Sequence, residues 1–221
     1  MRTGRSLILA GIPVVMAFLV GMIAALAIGD GAYPSPFLDQ DVILDWLSKN
    51  SDAAQIMSLT QLISALALLV FSARLAESLR QRDNVAHAAI VQSAGAVSSL
   101  MLAMSALLEW VAVRPDVLTS APAARLVHDL SFLTGGPGHV AALGLMIGTA
   151  ALGLAKSRTI PSWLTVLGAI VGVAGILSVA SLMTETAAYL LPIARFPGFI
   201  WIVGATVVLL KRDKVAADVL V

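Results

Sequence analysis

Long apolar runs alternate with short polar breaks along this chain. Each run approaches or exceeds the roughly 20 residues that cross about 30 Å of hydrocarbon as a helix. The pattern predicts spans at about 6–28, 53–72, 86–111, 137–155, 162–183 and 190–210. That is an all-α fold: a polytopic bundle of six transmembrane helices, forming a single integral membrane domain over 1–221. The first run also resembles a signal peptide, with Ala25-Leu26-Ala27 as a small-residue cleavage site. It is longer than a usual signal core, so it reads as the first span.

The breaks carry structure of their own. Pro34 and Pro36 exclude a helix across Gly31–Phe37. After them, Gln40–Lys49 reads as a short amphipathic helix on the membrane surface, capped by Asp39, with Ile43, Trp46 and Leu47 on one side. Ser51 then reads as the cap of the second span. In that span Gln55, Ser58 and Gln61 are spaced three apart, which predicts a shared face suited to hydrogen bonds between helices. A charged loop is expected over Arg74–Asp83. In the third span Ser98, Ser105 and Glu109 fall on one stripe among small residues that favour close packing. The helical pattern from Ala121 to Lys156 covers about 36 residues, over 50 Å at 1.5 Å each, which is too long for one crossing. It must break at Gly135-Gly136-Pro137-Gly138, giving an amphipathic piece over Pro122–Thr134 and a span opening at Pro137. Pro192 and Pro197 predict a kink in the sixth span. The tail Asp213–Val221 is expected to be poorly ordered.

Composition agrees with this pattern. Hydrophobic residues make up 59% of the chain and charged residues only 12%, about half the usual share of a soluble domain. There is no cysteine, which excludes disulfides, thiolate metal sites and a cysteine nucleophile. The charges are sorted by side. Ten of the 14 Lys and Arg residues lie at the N-terminus, in 74–83, in 156–158 and in the tail. Nine of the 13 acidic residues lie in the other breaks and at their margins. Basic excess marks the cytoplasmic side, so both termini are expected there, in a cell membrane. Segments 29–52, 112–137 and 184–196 then face outward. Charge sorted in this way gives no basic patch, so no nucleic-acid partner is expected.

Counting about 20 residues outward from each cytoplasmic end places the ionisable groups in depth. Arg195 falls about one turn inside the hydrocarbon and His139 slightly inside. Glu109 and Glu185 fall at the outer rim, and Gln61 lies deeper. A charge at membrane depth is costly and takes a partner, so Arg195 is expected to pair with Glu109, Glu185 or Asp129. The aromatics gather on the same side: Tyr33, Phe37, Trp46, Trp110, Phe132, Tyr189, Phe196, Phe199 and Trp201. Together these predict a pocket in the outer leaflet. Its catalytic candidates are Glu109, Asp129, Glu185 and His139, since a carboxyl group at the rim suits general-acid work. Its substrate-binding candidates are Arg195, His128, Gln61, Trp110, Phe132, Tyr189, Phe196 and Trp201. The competing reading is a charge pair that locks three helix ends. His128, Asp129 and His139 match no metal-ligand spacing, and no nucleotide, zinc-protease or serine-hydrolase motif occurs. No metal and no cofactor are therefore expected.

The stretch from Ile160-Pro161-Ser162-Trp163 through Phe196-Pro197-Gly198-Phe199-Ile200-Trp201 to Leu210-Lys211-Arg212 resembles the ending of a bacterial domain-of-unknown-function family of small six-helix membrane proteins. That resemblance carries architecture and no activity. A small bundle with scattered carboxylates and an aromatic pocket is similar in kind to integral-membrane terpene cyclases. This implies an enzyme acting on an isoprenoid or lipid-like substrate, with membrane lipids as its surroundings. A non-catalytic carrier or binding protein for a small amphiphile, and a helical scaffold, are the alternatives.

Overall fold

The computed structural model describes residues 3–218, with the side chains of residues 10–212. Arg2 and the tail residues 219–221 lie outside the described residues. The first apolar run forms α1 (Thr3–Ile28), and the surface helix is α2 (Gln40–Lys49). The second and third runs form α3 (Ser51–Arg80) and α4 (Val85–Ala112). A single turn, α5 (Pro115–Leu118), leads into α6 (Ala121–Leu133). A π-helical turn over Thr134–Gly138 joins α6 to α7 (His139–Lys156). Then come α8 (Ser162–Leu177), 3-10 turns over Ser178–Leu182 and Glu185–Tyr189, and α9 (Leu190–Asp218). The described residues contain no strand. Six stretches are long and apolar enough to cross a membrane, and this is a multi-pass membrane protein.

The spanning helices pack in chain order, α1 on α3, α3 on α4, α4 on α7, α7 on α8 and α8 on α9. Contact between α9 and α1 closes the ring. Six crossings put the start of α1 and the end of α9 at one end of the bundle, and α2 and α6 cap the other. Toward the termini the interior is filled by Phe71, Leu75, Leu79, Met146, Leu154, Trp201 and Leu209, all buried. Lipid tails are as apolar as these side chains, so association rests on close packing and hydrogen bonds rather than on expelled water. The α7–α8 seam shows this. A Cβ built on Gly144 would lie 2.8 Å from the Cα of Gly175, so the two backbones touch and only glycine fits.

Several boundaries differ from the sequence reading. Helix α3 runs eight residues beyond the expected end, because Leu75, Ala76 and Leu79 continue its buried stripe while Arg74 and Arg80 stay exposed. The expected charged loop shrinks to 81–84. The α-helix of the fifth span stops at Leu177 and tightens, as Ser178 Oγ donates to the Gly175 carbonyl at 2.6 Å. The α-helical run of the sixth continues through Pro197, and its irregular part is the 3-10 turn before it. The tail is helical to Asp218. Neither Asp39 nor Ser51 makes a side-chain cap bond. Asn50 precedes α3 instead, and its Oδ1 accepts from the Asp30 N–H at 2.7 Å. Gln55 is exposed while Ser58 and Gln61 are buried. Six residues turn a helix through about 600°, which carries Gln55 off the face of Gln61.

Candidate functional site

The break at residues 134–138 shapes the capped end of the bundle. Pro137 has no N–H to give the preceding turn, and Gly136 leaves the helical region at φ −81° and ψ −107°. The chain widens into a π-turn, a common device at functional sites. The close approach of α4 depends on Gly135, whose Cβ would lie 2.2 Å from Ser105 Oγ. Ser105 Oγ donates to the Ser131 carbonyl at 2.9 Å, and Ser131 Oγ to the Ser105 carbonyl at 3.1 Å. These reciprocal bonds fix the Ser105–Glu109 stripe of α4 beside the kink.

A cavity of about 350 Å³ opens next to this junction, within the range of small-molecule sites. Its walls are apolar for the most part: Phe18, Met22, Ala25 and Leu26 of α1, Met57 of α3, Phe132 of α6, and Leu191 and Phe196 of α9. Tyr33, Pro34 and Trp46 line it from the loop and α2 above. The exposed lining residues are Leu26, Gly31, Ala32 and Phe196. They set the mouth sideways, between the end of α1 and the start of α9.

Polar groups converge on this cavity. Glu109, in the last turn of α4, is 1% exposed. Its Oε2 accepts from Gln61 Nε2 at 3.3 Å, and its Oε1 has no partner. The buried Tyr33 hydroxyl, Trp46 Nε1 and Arg195 Nε are also unpartnered. Most buried polar atoms in proteins are paired, so four orphans lining one cavity mark it as a site. Burial pushes the Tyr33 phenol well above its ordinary value, so it stays a neutral donor at working pH.

Arg195 lies in the second turn of α9. Its Nη2 donates to the Gly135 carbonyl, and its Cζ sits 5.2 Å from the centre of the Phe18 ring. The expected carboxylate partner is absent: among the described residues no carboxylate lies within ion-pair distance of this guanidinium. Glu109 lines the same cavity but is tied to Gln61. An arginine at membrane depth costs about 3 kcal/mol on insertion scales. One carbonyl and one ring face are thin compensation.

Of the residues expected at the site, the structure brings together Glu109, Gln61, Phe132, Arg195 and Phe196. The others lie elsewhere. Asp129 accepts a bifurcated bond from Arg125 Nε, 3.0 Å to each oxygen. Arg125 in turn donates to the Pro36 carbonyl at 2.5 Å and the Leu38 carbonyl at 3.0 Å. His128 is fully buried, donates from Nε2 to the Pro34 carbonyl at 3.2 Å, and stacks on Tyr33 at 5.3 Å. This trio fastens the loop over the cavity, because a proline-rich segment has carbonyls to satisfy and few donors of its own. His139 Nδ1 lies 3.0 Å from the Ser98 carbonyl, and Ser98 Oγ 3.1 Å from the His139 carbonyl. That pair staples α7 to α4. Glu185 is exposed in a 3-10 turn and Tyr189 is 72% exposed. Trp110 is exposed under Arg114, whose Cζ is 4.8 Å from its ring. Trp201 is buried in the core, donating to the Leu164 carbonyl at 3.0 Å. It lies nearer the termini than the outer side where the aromatics were expected to gather, because Leu164 belongs to the first turn of α8. Among the described residues no three His, Asp or Glu side chains are placed to share a metal ion.

Phe18 was not expected at the site, and Tyr33 and Trp46 were expected only among the aromatics of the outer pocket, with no role assigned to them. Phe18, Met22 and Ala25 are spaced four and three, the one signal that would have put them on a common face of α1. Tyr33 reaches the cavity only because α6 holds its loop. The fold and site define a helical membrane bundle with a side-opening, capped cavity. No family model, curated protein or solved structure matches this chain.

Proposed function

We propose that this protein is an intramembrane enzyme that acts by carboxylate acid–base chemistry on an apolar isoprenoid or lipid-like substrate, in the manner of integral-membrane terpene cyclases. The carrying observation is the buried Glu109, held by Gln61 through one oxygen and unpartnered at the other, in a mostly apolar cavity. In the reaction, the Glu109 carboxyl gives its proton to a substrate C=C bond. One C–H bond forms and the adjacent carbon becomes cationic. The faces of Phe132 and Trp46 are suited to such a cation. Loss of a proton from a neighbouring carbon to the Glu109 carboxylate forms the new C=C bond and restores the acid. The net change is isomerisation, or ring closure where a second C=C bond of the substrate attacks the cation to form a C–C bond before the proton is lost, with no co-reactant. The charge asymmetry of the loops supports a cell-membrane orientation with both termini cytoplasmic, so that the cavity opens into the outer leaflet. Lateral entry suits a substrate dissolved in lipid. The filled core between the cavity and the termini argues against a carrier with a through-path.

The test is deuterium uptake in D2O by the protein in lipid vesicles, given a panel of linear polyprenols and unsaturated fatty acids. Glu109→Gln should lower uptake about 100-fold or more, as loss of a general acid does. Asp129→Asn and Glu185→Gln should retain it. Wild-type turnover by Glu109→Gln would sink the acid–base reading.

A further inference from the structure

We infer that the cavity takes a single-chain amphiphile with a carboxylate headgroup, and that Arg195 is the residue that binds that headgroup. The inference rests on the proposed function only in treating this cavity as the substrate site.

The argument starts from the missing counter-charge. Arg195 is the cavity's one cation, and no described carboxylate pairs with it. Its Nε is buried and unpartnered beside the cavity, while Nη2 is spent on the Gly135 carbonyl. A buried cation is tolerated when an anion joins it and is costly when left alone. Glu109 does not serve, since neither of its oxygens lies within ion-pair distance of the guanidinium. The ligand is therefore the source of the anion. With one of its five N–H groups given to the Gly135 carbonyl, the guanidinium keeps donors for a carboxylate. A phosphate monoester carries about −1.5 to −2 charge, more than one arginine offsets.

Shape agrees. At about 350 Å³ the cavity is at the small end of ligand sites, room for a headgroup and part of one chain. The mouth between Leu26 and Phe196 is apolar, so the rest of the tail runs out beside α1 and α9, whose outward residues Ile23 and Ile200 are 61% and 60% exposed. This places the headgroup inside and the tail in lipid. A carbon–carbon double bond a few atoms from the carboxylate would then lie within the walls that hold Glu109.

The experiment is equilibrium binding of radiolabelled decanoate to the detergent-purified full chain, with competition by unlabelled decanoate, decan-1-ol and decyl phosphate. The wild type should prefer decanoate to decan-1-ol by about tenfold or more, the usual worth of a charge-assisted hydrogen bond. Decyl phosphate should compete less well than decanoate. Arg195→Gln should lose that preference and Arg195→Lys keep part of it, both eluting as wild type on gel filtration. Equal binding of acid and alcohol by the wild type overturns the inference, even if the variants fail to fold. Tighter binding of decyl phosphate overturns the choice of carboxylate. A retained preference in Arg195→Gln overturns the role of Arg195. Failure here leaves deuterium uptake into uncharged polyprenols intact, whereas failure of Glu109 chemistry leaves the decanoate preference intact.

Discussion

Tyr33 shows how one side chain gains its role from its neighbours. Its hydroxyl is buried without a partner, so Tyr33→Phe removes an unsatisfied group and should change stability at pH 7 by no more than about 0.5 kcal/mol. The pH dependence has a definite sign. Folding raises the phenol above its ordinary value of 10.0, because it buries the hydroxyl. Below pH 10 both folded and unfolded states are neutral and nothing is lost. Above it the unfolded state ionises first, and stability falls by up to about 1.4 kcal/mol per pH unit. Thermal unfolding of wild type and Tyr33→Phe between pH 9 and 11 should therefore diverge, the variant losing less. Parallel curves would mean that the phenol is not held neutral. Charged residues show the limit of depth counting. Glu109 and Asp129 looked interchangeable as rim carboxylates, yet one is buried and bonded to Gln61 and the other salt-bridged to Arg125 four residues before it. An i,i+4 pair was visible in the chain, but whether it faced the cavity was not.

Among the elements, α7 and α8 make the most exacting contact. In Gly144→Leu the new side chain meets the Gly175 backbone, which has no rotamer to yield. The helices must part, at a cost of about 1–3 kcal/mol or more. Leu152→Val, on an exposed face of α7, should stay within about 0.5 kcal/mol. Unfolding in detergent distinguishes them, and equal stability would show the seam to be loose. The break between α6 and α7 was legible to within a residue or two, since proline and glycine act on their own backbone. So was α2, with Ile43 and Leu47 buried at 0% exposure as the amphipathic spacing required. The end of α3 was missed because its charged residues dominate the local hydropathy, while its buried stripe continues for two more turns.

For the whole molecule, the loop charges carry a prediction about sidedness. The chain lacks cysteine, so single introduced cysteines report position cleanly. Lys49→Cys replaces a side chain 60% exposed at the capped end, and Arg158→Cys an exposed residue at the other. With a membrane-impermeant maleimide, Lys49→Cys should label on intact cells and Arg158→Cys only after permeabilisation. The opposite pattern overturns the cytoplasmic termini and moves the cavity to the inner leaflet. Span number, the common side of the two termini and the place of the kink follow from residues acting within a few turns of themselves, so the linear chain was enough for them. The cavity joins Phe18, Tyr33, Glu109 and Arg195, which are spread over more than 170 residues and meet only when the ring of helices closes α9 on α1. Hydropathy weighs each segment against lipid alone. Which polar group ends buried and unpartnered depends on what the other segments bring to it, and that was decided by packing.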